Sequence, residues 1–137
     1  MNDSIKKLIL VADDDAMNRE VLEAFLSSEN YDVALANNGK TALQKAAKML
    51  PDLIILDVKM PDMTGYDVCQ QMRLNDATQA TPIMIVTGFD AKSDRERALQ
   101  VGASAFFPRP FKGDDLIVQV KQLLRDYTIA LRIGNAA

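Results

Sequence analysis

Apolar positions fall along the chain in two alternating textures. Short continuous runs occur at Leu8-Ile9-Leu10-Val11-Ala12, Leu53-Ile54-Ile55-Leu56 and Pro82-Ile83-Met84-Ile85-Val86. Tyr31–Ala36 and Ala105-Phe106-Phe107 are weaker runs of the same kind. Runs this short, with no polar alternation, suit strands covered on both faces, as in a parallel sheet. Between them the spacing changes to helical. Met17, Val21 and Phe25 form one stripe, with Leu22 and Leu26 beside it. Asp15 is the expected N-cap of that helix. Further helices are expected over Lys40–Leu50, Thr64–Asn75, Ser93–Val101 and from near Gly113 onward, with Leu116, Val120, Leu123 and Leu124 facing inward. Thr64 with Asp67, and Ser93 with Glu96, read as capping boxes, and Gly102 as a helix stop.

The result is five strand–helix units in strict alternation, an α/β class with a parallel sheet and helices on both faces. The 137 residues are expected to make one domain, with a core over about 7–125. Beyond Tyr127 a fraying helix end and then disorder are expected over 127–137.

Composition narrows the chemistry. Hydrophobic residues are 48% and charged residues 26%, and the net charge of −3 comes without a Lys/Arg run. This argues against a nucleic-acid or membrane surface. The start, MNDSIKK, lacks a signal-peptide core, and no stretch is long enough for a bilayer. A cytoplasmic protein is the expectation. The single cysteine, Cys69, is expected to be buried and inert. Histidine is absent, which excludes Ser-His and Cys-His nucleophilic sites, His zinc sites, and a phosphohistidine donor within this chain.

What remains lies at the strand ends. In order they are Asp13-Asp14, Asp57, Thr87 and, after a short loop, Arg109. In a parallel sheet all carboxyl ends lie on one edge, with neighbouring strands ~5 Å apart, so these groups converge. Three carboxylates repel unless a cation neutralises them, and all-oxygen ligands suit Mg²⁺ or Mn²⁺ rather than zinc. A hydroxyl and a guanidinium aimed at the same point suit a phosphoryl group. The residues point to a metal-assisted phosphoryl site with Asp57 as nucleophile. Singly, each has a plainer reading: a loop-and-cap cluster, a strand residue, a surface charge.

The stretches ILVADDD, PDLIILDVKMPDMTGYD, PIMIVTG and GASAFFPRPF give the chain a close resemblance to the receiver domain of two-component response regulators, over about residues 7–125. That resemblance implies a single-domain flavodoxin-like (βα)5 sandwich with strand order 2-1-3-4-5. It implies phosphoryl transfer to Asp57 from a phosphohistidine on a sensor histidine kinase or a histidine phosphotransfer protein. Asp14 and Asp57 would ligate Mg²⁺ directly, the main-chain carbonyl of Lys59 would be a third ligand, and Asp13 would act through water. Thr87 and Phe106 would be the switch pair, with Thr87 meeting the phosphoryl oxygens. A cis Arg109–Pro110 bond, and an output domain or partner on the 93–125 face, are implied as well. The chain would be a phosphoacceptor rather than an enzyme; slow autodephosphorylation is expected because Arg109 or Lys59 would hinder an attacking water.

Two departures stand out. Arg109 replaces the family's usual Lys, a planar fork for a point charge. Phe106 replaces the commoner Tyr and lacks a hydroxyl to hold an outward position. Arg109 either reaches the phosphoryl oxygens or turns to solvent, leaving Lys59 to lean over the site. Two alternatives are weighed. One is a binding module of the same fold without phosphorylation control. The other is a haloacid-dehalogenase-like aspartyl phosphatase, whose motif Asp13–Met17 matches only in its two acids. A flavin module is disfavoured, because no phosphate loop follows the first strand.

Overall fold

A computed structural model describes residues 6–88 and 92–136. Five parallel strands, β1 (Leu8–Ala12), β2 (Asp32–Ala36), β3 (Leu53–Asp57), β4 (Ile83–Thr87) and β5 (Ala105–Pro108), lie in the order β2-β1-β3-β4-β5. The connecting helices are α1 (Ala16–Ser28), α2 (Gly39–Met49), α3 (Gly65–Leu74), α4 (Lys92–Gln100) and α5 (Gly113–Ala136). This is the flavodoxin-like order that the resemblance implies.

The continuous apolar runs have a simple cause. Successive strand side chains point to opposite faces, and both faces are covered. Ile9, Val11, Leu53, Ile55, Met84 and Val86 pack with Leu22 and Leu26 of α1 and Leu116, Val120 and Leu124 of α5. Leu10, Ala12, Ile54, Leu56, Ile83 and Ile85 pack on the other side with α2, α3 and α4. Of the largest fully buried side chains, all but Leu26, Met72 and Leu116 come from β1, β3 and β4. Each contributes roughly 1.5–3 kcal/mol relative to exposure. The outer strands β2 and β5 are only partly covered.

Two expectations need correction, and one is sharpened. The stripe Met17, Val21 and Phe25 is not the part of α1 seated on the core. Those residues are 69%, 47% and 38% exposed, while Leu22 and Leu26 are buried. The apolar arc of α1 is wider than its seat on the sheet, and periodicity does not say which edge is seated. Ser93 is not an N-cap: α4 already includes Lys92, so Ser93 lies inside the first turn, and the capping position falls outside the described residues. The chain beyond Tyr127 does not unravel, because α5 continues as helix to Ala136. Cys69 is buried, and burial raises its thiol pKa, as its inert reading requires. Among the described residues no helix is long and apolar enough to cross a membrane.

Candidate functional site

Strand ends and caps aim the acidic side chains. Asp13, just past β1, is held to the sheet by its N–H, which donates to Ala36 O at 3.1 Å. Its Oδ1 accepts from Asp15 N at 2.9 Å, and its main-chain carbonyl accepts from Arg19 Nη1 at 2.8 Å. Asp15 caps α1 as expected, accepting from Met17 N and Asn18 N. Asp57 closes β3 and reaches the same edge. One carboxylate oxygen from each of Asp13, Asp14 and Asp57 lies within 4.8 Å of the others. Asp14 is exposed, Asp13 is buried, and the Asp57 side chain is 12% exposed.

Arg109 enters this cluster rather than turning to solvent. Its Nη1 donates to Asp57 Oδ1 at 3.1 Å and its Nη2 to Asp13 Oδ2 at 3.0 Å, so the fork bridges two of the three carboxylates. The main chain brings it there: Arg109 N donates to Thr87 O at 2.7 Å, and the Arg109–Pro110 bond is cis, as the resemblance implies. Lys59, the other cation considered, is exposed. One guanidinium does not balance three carboxylates. Burial, and secondarily the negative charge of Asp13, push the Asp57 carboxyl up to about 6, against the opposing pull of Arg109. An acidic cluster of all-oxygen donors fits a hard divalent cation. Asp13, Asp14 and Asp57 are the residues that could hold one.

The loop after Asp57 is built on contacts that residue patterns do not reveal. Gly65 N donates to Val58 O at 2.8 Å, and a Cβ at Gly65 would run into the main-chain carbonyl of Asp57. The Thr64–Asp67 capping box is present and starts α3 directly behind that contact. Asp62 reaches across to α2, accepting from Gly39 N and Lys40 N at 2.8 Å each. Those bonds hold its carboxyl below the usual range. Asp62 therefore ties the β3–α3 loop to the second helix. The sequence gives only an acid after Pro61, with no sign of a partner 22–23 residues away.

Thr87 is buried at the end of β4, paired with Pro108 across the sheet edge. Phe106, in register with Ile85, is partly buried against the α3–α4 side of the core. The Arg95 guanidinium of α4 lies 5.0 Å over its ring. Tyr66 Oη donates to Asp94 O at 3.3 Å, and Arg97 covers the Tyr66 ring, so α3 also steadies the start of α4. The structure thus brings Asp13, Asp14, Asp57 and Arg109 into one cluster, with Thr87 on the neighbouring strand end. Phe106 lies farther along the same sheet, on the α4 side.

Comparison with known proteins agrees with this geometry. The sequence matches the family model of the response regulator receiver domain over residues 9–121. It is 42% identical over 117 residues to the response regulator PleD of Caulobacter vibrioides, covering 85% of this chain and 26% of that protein. The chain spans about a quarter to half the length of the curated relatives it matches. A CheY-like receiver domain protein from Methanospirillum hungatei superposes with a TM-score of 0.87 at 25% identity, covering 92% of this chain and 99% of its own. The receiver domain of the sensor histidine kinase PA1611 from Pseudomonas aeruginosa superposes with a TM-score of 0.82 at 29% identity, covering 88% and 98%. It was crystallised with a magnesium ion coordinated in its active site cleft.

Proposed function

The chain belongs to the response regulator receiver family of two-component systems, and from that premise we propose that it accepts a phosphoryl group on Asp57. The observation that carries the reading is the meeting of Asp57 with Asp13, Asp14 and the Arg109 fork at the carboxyl edge of the sheet. In the proposed step a carboxylate oxygen of Asp57 attacks the phosphorus of a phosphohistidine on a kinase or phosphotransfer partner. The P–N bond breaks, an acyl phosphate forms, and the imidazole leaves with the electron pair and takes up a proton. With its carboxyl at about 6, Asp57 is mostly ionised at neutral pH and available to attack.

Asp13, Asp14 and Asp57, with the Lys59 carbonyl, would hold Mg²⁺ or Mn²⁺; the magnesium of the PA1611 receiver supports this. When bound, the cation supplies positive charge to the phosphoryl oxygens during transfer. Arg109 then moves its donors from the carboxylates to the new phosphoryl oxygens. Thr87 contributes its hydroxyl, and Phe106 follows Thr87, so that the 87–111 face carries the change to an output domain or partner. The exposed apolar stripe of α1, next to Asp14, fits a helical histidine-bearing partner. On this reading the chain acts in the cytoplasm and turns over no separate substrate. The dehalogenase-like alternative is not favoured, since Asp15, its second acid, is spent capping α1.

The test is intact mass after incubation with acetyl phosphate and Mg²⁺. One phosphoryl mass is expected on the wild type and none on Asp57→Asn, with both folded by circular dichroism. No gain on a folded wild type would leave the phosphorylation-independent binding module. A gain persisting in Asp57→Asn would move the nucleophile to Asp13 or Asp14.

A further inference from the structure

Beside the acidic cluster, a second feature of the same sheet edge has the opposite charge. A cavity of about 260 Å³ opens between α1 and α2 over the end of β2. It is lined by Arg19, Leu35, Ala36, Asn37, Thr41 and Lys45. Two of these are cations and none is a carboxylate, in a chain whose net charge is −3.

The cations are held in place rather than neutralised. Arg19 Nη1 donates to Asp13 O, and Lys45 Nζ donates to Leu35 O. Both side chains are half-buried, and among the described residues neither has a carboxylate within ion-pair distance. Three acids of the surrounding loops are committed elsewhere. Asp13 serves Asp15 N and Arg109, Asp15 caps α1, and Asp62 binds Gly39 N and Lys40 N. Each cation spends one donor on a neutral carbonyl and keeps the rest. The guanidinium retains a planar face suited to two-point contact with an oxyanion. The Thr41 hydroxyl and Asn37 amide add neutral donors at the rim.

We propose that this α1–α2 cleft is a binding site for a small oxyanion, a phosphate or a carboxylate, held between Arg19 and Lys45. The volume falls below the range of pockets that enclose drug-sized ligands, so the ligand is small. Because Arg19 also grips the main-chain carbonyl of Asp13, occupancy of the cleft is mechanically joined to the acidic cluster. The plainer account is that both cations only pin carbonyls and the cavity is solvent.

Amide NMR titration of the full chain separates the two, in chloride buffer at constant ionic strength and free of divalent cations. Inorganic phosphate is one titrant and succinate the other, which tells a phosphoryl from a carboxylate preference. Saturable shifts are expected at Asn37, Thr41 and Lys45 with at least one titrant, with a dissociation constant on the order of 1 mM. Arg19→Gln and Lys45→Gln each remove a charge and shorten the side chain, and each should weaken binding ~tenfold, with other spectral changes confined to the neighbourhood of the carbonyl that side chain held. The proposal is overturned by non-saturating shifts with both titrants. It is equally overturned by saturable shifts confined to Asp57 and Thr87, or by variants that bind as the wild type does.

Discussion

Two half-buried arginines sit at opposite ends of the β4–β5 half of the sheet, and their surroundings could hardly differ more. At the carboxyl end Arg109 faces charge: both arms of its fork end on carboxylates, of Asp57 and Asp13. At the amino end Arg73 of α3 faces only neutral acceptors. Its Nε donates to Gly102 O at 2.9 Å. Its Nη1 serves the carbonyls of Thr78, Gln79 and Thr81, the last at 2.7 Å, and its Nη2 reaches Ser104 Oγ at 3.5 Å. Arg73 gathers the α3–β4 and α4–β5 loops around one cation, and burial lowers its pKa from the ordinary arginine value. Its partners cannot leave without unpairing several carbonyls. Those of Arg109 are acids that, on the proposed function, a metal or a phosphoryl group would claim. One arginine fastens the fold, and the other holds a place in the site.

The largest expected effect tests the fastening role. Arg73→Ala should cost about 3 kcal/mol of unfolding free energy in urea, because several main-chain acceptors lose a charged donor together. Mg²⁺ affinity by calorimetry should stay within about twofold of wild type. An equal loss of Mg²⁺ affinity would erase the contrast between the two ends.

A second effect reads the charge excess at the carboxyl end. With the Asp57 carboxyl raised from 3.8 to about 6, the folded, metal-free chain keeps a proton that the unfolded chain has released. Raising the pH through that window strips the proton and lowers stability. Asp57→Asn has no such loss. Its melting temperature should match the wild type near pH 4 and exceed it by roughly 3–6 °C at pH 7.5 without metal. A gap that narrows as the pH rises would reverse the sign and defeat the account. Saturating Mg²⁺ should shrink the gap by stabilising the wild type alone.

The smallest effect concerns Arg109 itself. Its fork occupies oxygens that a cation would use, so Arg109→Ala should bind Mg²⁺ about three- to tenfold more tightly. Calorimetry on the two proteins decides the point. Weaker binding in the variant would mean that Arg109 organises the carboxylates for the metal instead of competing with it.

Legibility in the sequence followed the chemistry of the partners. The strands could be read because a layer covered on both faces leaves a continuous apolar run, as in Leu53–Leu56. The convergence of Asp13, Asp14, Asp57 and Arg109 could be read because strand ends in a parallel sheet share an edge. Asp62 and Arg73 could not be read, since both bind main-chain atoms, which carry no residue identity. The seating of α1 could not be read for another reason. Met17, Val21 and Phe25 have the helical spacing of a core stripe, but a partner outside the chain can select that spacing as well. The continued helix past Tyr127 was missed by position alone, for Ile129-Ala130-Leu131-Arg132 is ordinary helical sequence.

Gly65 has a consequence for copying this site. Its missing side chain lets the first turn of α3 rest on the main chain of Asp57, and even one added carbon would have to displace that carbonyl or the helix. The site is thus specified by an omission as well as by its acids. A designer who transplanted Asp13, Asp14, Asp57 and Arg109 onto another parallel sheet would reproduce the charged groups and still lose the alignment. The blueprint needs an empty space at position 65, and glycine alone among the twenty residues supplies it.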